Sequence, residues 1–278
     1  MATFGRYEIL ERLATGGMAE VYRARAWSAG GVSKDVVIKK ILPGYSSDPE
    51  FRSLFIHEAR ISVGLTHSRI TQVLDFGLMD GSYFIAMELV DGPDLGDVLV
   101  ALRKEFALMP LPAAIHVIAD VLEGLDYAHR RTGVDGQPLA IVHRDISPNN
   151  VLVSRAGEVK LTDFGIARAA GSPAVTQVGR VRGKPQYMSP EQIRGRPLDG
   201  RSDLFSCGLL FYEILTGFPA YVGSDDGILM NAILRGEFEP PSGRVKDVPR
   251  ALDAVLARAL HLAEDQRFAT AGEFRQTL

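Results

Sequence analysis

The apolar pattern of this sequence changes from a strand-like to a helix-like period part-way along the chain. Short runs rich in β-branched and aromatic residues come first: YEILERL (7–13), AEVYRARA (19–26), DVVIKKIL (35–42), ITQVLDF (70–76) and SYFIAMELV (82–90). Apolar residues then recur at helical spacing, most clearly in LPAAIHVIADVLEGLDYAHRR (111–131) and in RSDLFSCGLLFYEILTG (201–217). Strands followed by helices predict an α+β chain in two lobes.

One helix is predicted inside the strand-rich part, where Asp48 can cap it and Pro49 suits its first position. Glu58 lies on the apolar stripe of this helix, where an unpaired carboxylate would cost several kcal/mol. The nearby cations are Lys39 and Lys40, which alternate across the strand VVIKK and so lie on opposite faces. The pattern does not choose between the two lysines. The alternative to such an ion pair is that Glu58 is a surface residue at the rim of the helix.

Composition limits the classes of function. The net charge is −3, with 31 basic and 34 acidic residues, so the chain has no overall attraction for nucleic acid or for an anionic membrane. The only cysteine, Cys207, cannot form an internal disulfide, which favours a cytoplasmic location. Cys207 lies within an apolar helix pattern and is predicted to be an unreactive packing residue. No apolar run is long enough for a membrane span, although a membrane anchor beyond residue 278 stays open.

Three segments carry residues suited to phosphate and cation chemistry. The turn in LATGGMAEVY (13–22) can bring backbone amides close to phosphate oxygens, although an ordinary hairpin turn is the alternative. Asp145 and Asn150 lie in IVHRDISPNN, and Asp163 in LTDFGIAR can hold Mg²⁺ through oxygen. Two short strands between Asn150 and Asp163 predict a hairpin that brings its ends together. A second DFG begins at Asp75, but no Asn or second acid lies just upstream of it. Asp75 is therefore predicted to be a structural turn residue.

In this order, these segments resemble the eukaryotic-like (Hanks-type) protein kinase family, and GGMAEVY and MSPEQ are most similar to its bacterial Ser/Thr branch. The similarity runs from about Tyr7 to Leu278 and includes LATGGMAEVY, VVIKK, HEAR, MELVDG, HRDISPNN, DFG, MSPEQ, DLFSCG and DQRF. It implies a bilobal fold: a small antiparallel-sheet N-lobe with one main helix at 1–87, a hinge at 88–93 and a larger, mainly helical C-lobe at 94–278.

The resemblance implies transfer of the γ-phosphoryl group of ATP to Ser or Thr hydroxyls of proteins, with Mg²⁺ as a cofactor. A dimer of two kinase copies could serve autophosphorylation. Two alternatives are a pseudokinase that acts as an interaction module and a small-molecule phosphotransferase of similar fold. The missing catalytic-loop lysine would favour the first, but Lys39, Glu58, Asp145, Asn150 and Asp163 are all present. The second is disfavoured by MSPEQ and Arg267, which resemble the protein-substrate platform.

The resemblance also implies a role for each matched residue. Lys39 binds the α and β phosphates and pairs with Glu58, Asp145 orients the acceptor hydroxyl, and Asn150 and Asp163 hold Mg²⁺. Further contacts with the nucleotide are implied for Leu13, Ala14, Gly16, Gly17, Val21, Val37, Met87, Glu88, Val90, Asp94 and Leu152, with Asp94 accepting from the ribose hydroxyls.

Other matched positions are expected to be structural. His143 is expected to be a packed scaffold residue, and Asp203 is expected to tie the catalytic loop to the helix beneath it. Glu191 is expected to pair with Arg267. The charges of ALRKEF (101–106) are predicted to form only a solvated helix face.

Two positions depart from the family pattern together. Ser147 stands where the Ser/Thr branch usually has a lysine that touches the γ-phosphate, and Lys184 stands where it has a threonine. We predict an exchange in which the two side chains meet beside Asp145 and Lys184 supplies the cation. Thr176 is the predicted regulatory phosphorylation site, because a phosphate there could pair with Arg144.

Overall fold

The computed structural model describes residues 3–15, 19–42, 45, 48–133, 135–164 and 185–278, without the side chains of Glu50, Phe51, Leu54 and Glu58. The chain forms two compact units, Met1–Asp91 and Gly92–Leu278. The first is built mainly from strands and the second mainly from helices, which confirms the predicted α+β class.

The first unit contains a six-stranded antiparallel sheet with the order β1-β2-β3-β4-β6-β5. Its strands are β1 Thr3–Phe4, β2 Tyr7–Thr15, β3 Ala19–Trp27, β4 Ser33–Ile41, β5 Val73–Met79 and β6 Ser82–Glu88. Helix α1, Pro49–Val63, begins at the predicted proline. Alternate side chains of each strand point to opposite faces, so the sheet buries one apolar cluster on each face.

The two clusters differ in their partners. One cluster consists of the buried residues Phe4, Tyr7, Ala24, Val36, Ile38, Phe84 and Ala86. The other consists of Ile41, Phe55, Ala59, Ile85 and Met87, and Val37 packs against it. Because Phe55 and Ala59 belong to α1, the second cluster marks the face of the sheet that this helix covers.

The predictions for Asp75 and for its strand need correction. The strand runs from Val73 to Met79, later than the predicted 70–76, so Asp75 lies inside β5 instead of at a turn. The register shifts between Val73 and Asp75. The Asp75 carboxylate accepts hydrogen bonds from Arg6 and Tyr7, each at 2.7 Å. A register shift inside the strand and a long-range polar contact therefore replace the expected turn.

The second unit packs helices around a short hairpin of β7 Val151–Val153 and β8 Val159–Leu161. The helices are α2 Leu95–Lys104, α3 Leu111–His129, α4 Pro190–Ile193, α5 Gly200–Thr216, α6 Asp226–Arg235, α7 Pro241–Arg244, α8 Ala251–Ala259 and α9 Ala271–Gln276. Helix α5 is almost wholly buried and ends at Gly217, whose φ of 76° needs a residue without a Cβ. Among the helices in the described ranges, none is long and apolar enough to cross a membrane.

Candidate active site

The β7–β8 hairpin brings the two predicted cation ligands to the same end of the hairpin. Val151 pairs with Leu161, and the N–H of Thr162 donates to the carbonyl oxygen of Asn150 at 3.0 Å. Asp163 follows directly, with a left-handed φ of 54°. The expectation that this hairpin joins its ends is confirmed.

Asn150 also fixes the neighbouring acid. Its amide nitrogen donates to the backbone oxygen of Asp145 at 2.7 Å and to Oδ2 of Asp145 at 2.9 Å. These two bonds leave the amide oxygen of Asn150 as the atom that can ligate a cation. Carboxylate and amide oxygens are the hard donors that Mg²⁺ prefers, and Mg²⁺ usually completes its shell with phosphate oxygens and water. The donor set of Asn150 and Asp163 therefore fits magnesium.

Asp203, on helix α5, holds the loop that carries Asp145. Its carboxylate accepts the backbone N–H groups of His143 and Arg144, each at 2.8 Å, and lies 2.8 Å from Nε2 of His129. Arg144 has a left-handed φ of 67°, so these bonds hold a backbone conformation that is costly by itself. Burial alone would raise the pKa of Asp203, but the hydrogen bonds that its carboxylate accepts, chiefly the one from His129, outweigh burial and lower it.

His143 is part of the scaffold. It is fully buried, its Nε2 lies 3.1 Å from the carbonyl oxygen of Thr162, and the N–H of Asp145 donates to its Nδ1 at 3.3 Å. This pattern fits a neutral ring with its proton on Nε2, and burial lowers the pKa of His143 accordingly. The ring also packs against Phe164 with centroids 4.6 Å apart.

In the first unit, the two candidate lysines lie on opposite faces of β4. Lys40 places its ammonium 4.6 Å from the ring centroid of Phe4, on the face opposite α1. Lys39 has the same strand parity as Val37 and Ile41, which pack on the α1 side. Lys39 is therefore the lysine on the face that α1 covers. The predicted partner side chain, Glu58, lies outside the described residues.

The other predicted nucleotide contacts fall in both units. In the first unit, Ala14 pairs with Val21 and Val37 pairs with Met87 across neighbouring strands. Leu13 is 49% exposed, and Val90 is half-buried. The Glu88 carboxylate accepts the N–H of Gln72 at 2.8 Å. In the second unit, Asp94 and Leu152 form an isolated bridge. Gly16 and Gly17 lie outside the described residues.

The protein kinase domain family matches residues 7–277 of this chain. The chain belongs to the protein kinase family. It is 39% identical to the tyrosine-protein kinase MasK of Myxococcus xanthus, over 99% of this chain and 43% of that protein. It is 38% identical to the serine/threonine-protein kinase PknB of Mycobacterium leprae, over 98% of this chain and 42% of that protein. The chain therefore spans less than half the length of these relatives.

Solved kinase structures show the same fold. The crystal structure of the Mycobacterium tuberculosis PknI kinase domain matches with a TM-score of 0.74 and 29% identity, over 99% of this chain and 96% of that chain. This similarity confirms the predicted bilobal kinase fold class.

The kinase domain contains the predicted buried ion pair. Nη1 and Nη2 of Arg267 lie 2.8 and 2.9 Å from the two carboxylate oxygens of Glu191, and Ser202 also donates to this carboxylate. Burial alone would raise the pKa of Glu191, but these hydrogen bonds and the charge of Arg267 lower it.

The departures from the kinase pattern are only partly within the described residues. Ser147 is 3% exposed and precedes the helical turn Pro148–Asn150, where its carbonyl oxygen accepts the N–H of Asn150 at 3.0 Å. Lys184 and Thr176 lie outside the described residues. The contact between Ser147 and Lys184 therefore stays a prediction.

The kinase domain also contains a buried polar cluster that was not predicted from the sequence. The Tyr187 hydroxyl donates to Glu213, whose side chain is 4% exposed, and Nη1 of Arg103 lies 3.1 Å from the same carboxylate. Arg103 belongs to ALRKEF, so the prediction of a merely solvated face is wrong for this residue. The available signal was Glu213 itself, a lone carboxylate within the apolar run LFSCGLLFYEIL.

Proposed function

We propose that this chain is a catalytic domain that transfers the γ-phosphoryl group of ATP to Ser or Thr hydroxyls of proteins. The main support is the arrangement in which Asn150 fixes Asp145 while the β7–β8 hairpin places Asp163 beside Asn150. Serine/threonine-protein kinases are among its similar relatives, including PknB. A pseudokinase is not favoured, because Lys39, Glu58, Asp145, Asn150 and Asp163 are all present.

In the proposed reaction, Asp145 orients the acceptor hydroxyl and takes its proton. The hydroxyl oxygen bonds to the γ-phosphorus, and the bond from that phosphorus to the bridging oxygen of ADP breaks. Asn150 and Asp163 would hold Mg²⁺, which neutralises the charge that collects on the phosphates. Lys39 would bind the α and β phosphates. Most of the catalytic effect then comes from positioning the reactants and from stabilising the negative charge of the transition state, since phosphoryl transfer needs little covalent catalysis.

A second candidate is transfer to tyrosine, which the similarity to MasK favours. Incubation with γ-labelled ATP and a generic basic protein, followed by phosphoamino acid analysis, separates the two candidates. Label on Ser or Thr supports our proposal, and label on Tyr alone supports the second candidate. Asp145→Asn should abolish the transfer. Equal label from the wild type and this variant would overturn the assignment of Asp145.

Regulation by phosphorylation of Thr176 is also part of the proposal, together with a kinase dimer that carries it out and a cytoplasmic location. The support for the switch is Arg144, which lies next to Asp145 and can pair with a phosphate. Mass spectrometry of active protein should find phosphate on Thr176, and Thr176→Ala should lower activity. Full activity with an unmodified Thr176 would exclude this switch.

A further inference from the structure

The second unit begins with a short segment that is fastened to strand β7. The carbonyl oxygen of Pro93 accepts the N–H of Val153 at 3.0 Å, and Asp94 pairs with Leu152. A Cβ on Gly92 would lie 2.0 Å from the carbonyl oxygen of Val153, so the two backbones approach as closely as glycine allows. These contacts fix the Asp94 backbone relative to the catalytic hairpin.

The Asp94 carboxylate is held from two sides. Its Oδ1 accepts the N–H of Asp97 at 2.9 Å and so caps helix α2. Its Oδ2 accepts the side-chain amide of Asn149 at 3.1 Å. A carboxylate oxygen can accept about two hydrogen bonds, so each oxygen keeps an acceptor position for a ligand. The two bonds restrict rotation of the carboxylate but leave it able to accept further hydrogen bonds.

A glycine makes room for this contact. A Cβ on Gly96 would lie 3.0 Å from the amide nitrogen of Asn149 and 3.0 Å from Oδ1 of Asp94. Gly96 is inside helix α2, where glycine is less favourable than alanine. The missing side chain therefore allows the amide to reach the carboxylate.

We propose that Asn149 is a positioning residue for nucleotide recognition, which acts by orienting Asp94 toward the ribose hydroxyls. The proposal rests on the ATP-dependent function proposed above. An amide suits this task because it donates to a carboxylate without adding negative charge beside it. Asn149 then determines the preference for an intact ribose and leaves phosphoryl transfer to Asp145, Asn150 and Asp163.

The test compares the affinities of ATP and 2′,3′-dideoxy-ATP by calorimetry in the presence of Mg²⁺. The wild type should prefer ATP. Asn149→Ala should reduce this preference roughly three- to tenfold, the usual net effect of losing one solvent-accessible hydrogen bond, and should leave the affinity for dideoxy-ATP and kcat nearly unchanged. Asn149→Asp should reduce the preference further at low salt, because two carboxylates then repel each other.

Two further variants keep the test decisive. Gly96→Ala leaves residue 149 intact and should reduce the ATP preference as Asn149→Ala does. Asp97→Asn is the control: it also changes a side chain near Asp94 but keeps the backbone N–H that caps the helix, and it should retain the preference. A folded Asn149→Ala or Gly96→Ala variant that keeps the full preference would overturn the role of Asn149. A wild type without ATP binding would overturn the proposed function itself.

Discussion

Arg267 meets Glu191 in a bidentate ion pair that is shielded from solvent. The two nitrogen–oxygen distances are 2.8 and 2.9 Å, and the side chains of Arg267 and Glu191 are 0% and 1% exposed. Arg267 also donates to the carbonyl oxygens of His261 and Arg201 at 2.7 and 3.1 Å. The pair therefore fastens α4 to the segment that precedes α9.

Removing the cation should destabilise the protein strongly. Arg267→Ala leaves the buried carboxylate of Glu191 unpaired, which should lower the free energy of unfolding by about 3–5 kcal/mol. The double variant with Glu191→Gln should lose less, because no buried charge remains. Urea unfolding of both variants measures the difference. A loss below about 1 kcal/mol in Arg267→Ala would contradict the structural role of the pair.

The same pair predicts acid sensitivity. The folded state has a lowered pKa for Glu191, so the stabilisation is present above the unfolded-state pKa of about 4.3 and is lost as the pH falls through the lower folded-state value. The free energy of unfolding should therefore decrease below about pH 4. Urea titrations across this range should show a shallower decrease in Glu191→Gln, and identical pH profiles would contradict the assignment.

Tyr187 should stabilise the fold through its hydroxyl group. Tyr187→Phe removes a donor to the buried carboxylate of Glu213 and should cost about 1–3 kcal/mol. Tyr221 provides a matched control, because its hydroxyl is buried and has no hydrogen-bond partner among the described residues. Tyr221→Phe should be neutral or stabilising. Thermal unfolding of the two variants tests the contrast, and equal losses of stability would contradict it.

Asp203 should influence catalysis through the loop that it holds. Asp203→Asn replaces one acceptor oxygen by an NH2 group, so the side chain can accept only one of the two N–H groups of His143 and Arg144. We expect kcat to fall about 10²-fold, because small displacements of reacting groups are costly, and ATP affinity to change much less. Cys207→Ala, a buried change on the same helix, is the control for lost packing. A normal kcat in folded Asp203→Asn would exclude this positioning role.

The lysine exchange makes a separate prediction. If Lys184 stabilises charge at the γ-phosphate, Lys184→Ala should lower kcat roughly 10²- to 10³-fold with little change in ATP affinity. The double variant Ser147→Lys with Lys184→Thr should recover part of the activity that Lys184→Ala loses. If Lys184 instead contacts acidic substrates, Lys184→Ala should raise KM for the protein substrate and spare ATP hydrolysis. Near-normal ATP turnover in this variant would eliminate the exchange.

Much of the fold could be predicted because it depends on local patterns. The helix that starts at Pro49, the end of α5 at Gly217 and the β7–β8 hairpin all follow from period, capping and turn residues within a few positions. Asp75 could not be predicted in the same way. Its carboxylate bonds to Arg6 and Tyr7, which lie far away in the sequence.

The sequence by itself determined the order of the elements and, through resemblance, the identity of the polar residues at the candidate site. The resemblance implied Lys39, but the residue pattern did not, and the tertiary structure shows that Lys39 lies on the face covered by α1. Only the tertiary structure decided that Arg103 joins Tyr187 at the buried Glu213. Strand alternation gives two faces but does not say which face a helix covers. A buried charge likewise requires a partner, but the identity of that partner depends on which distant segments pack around it.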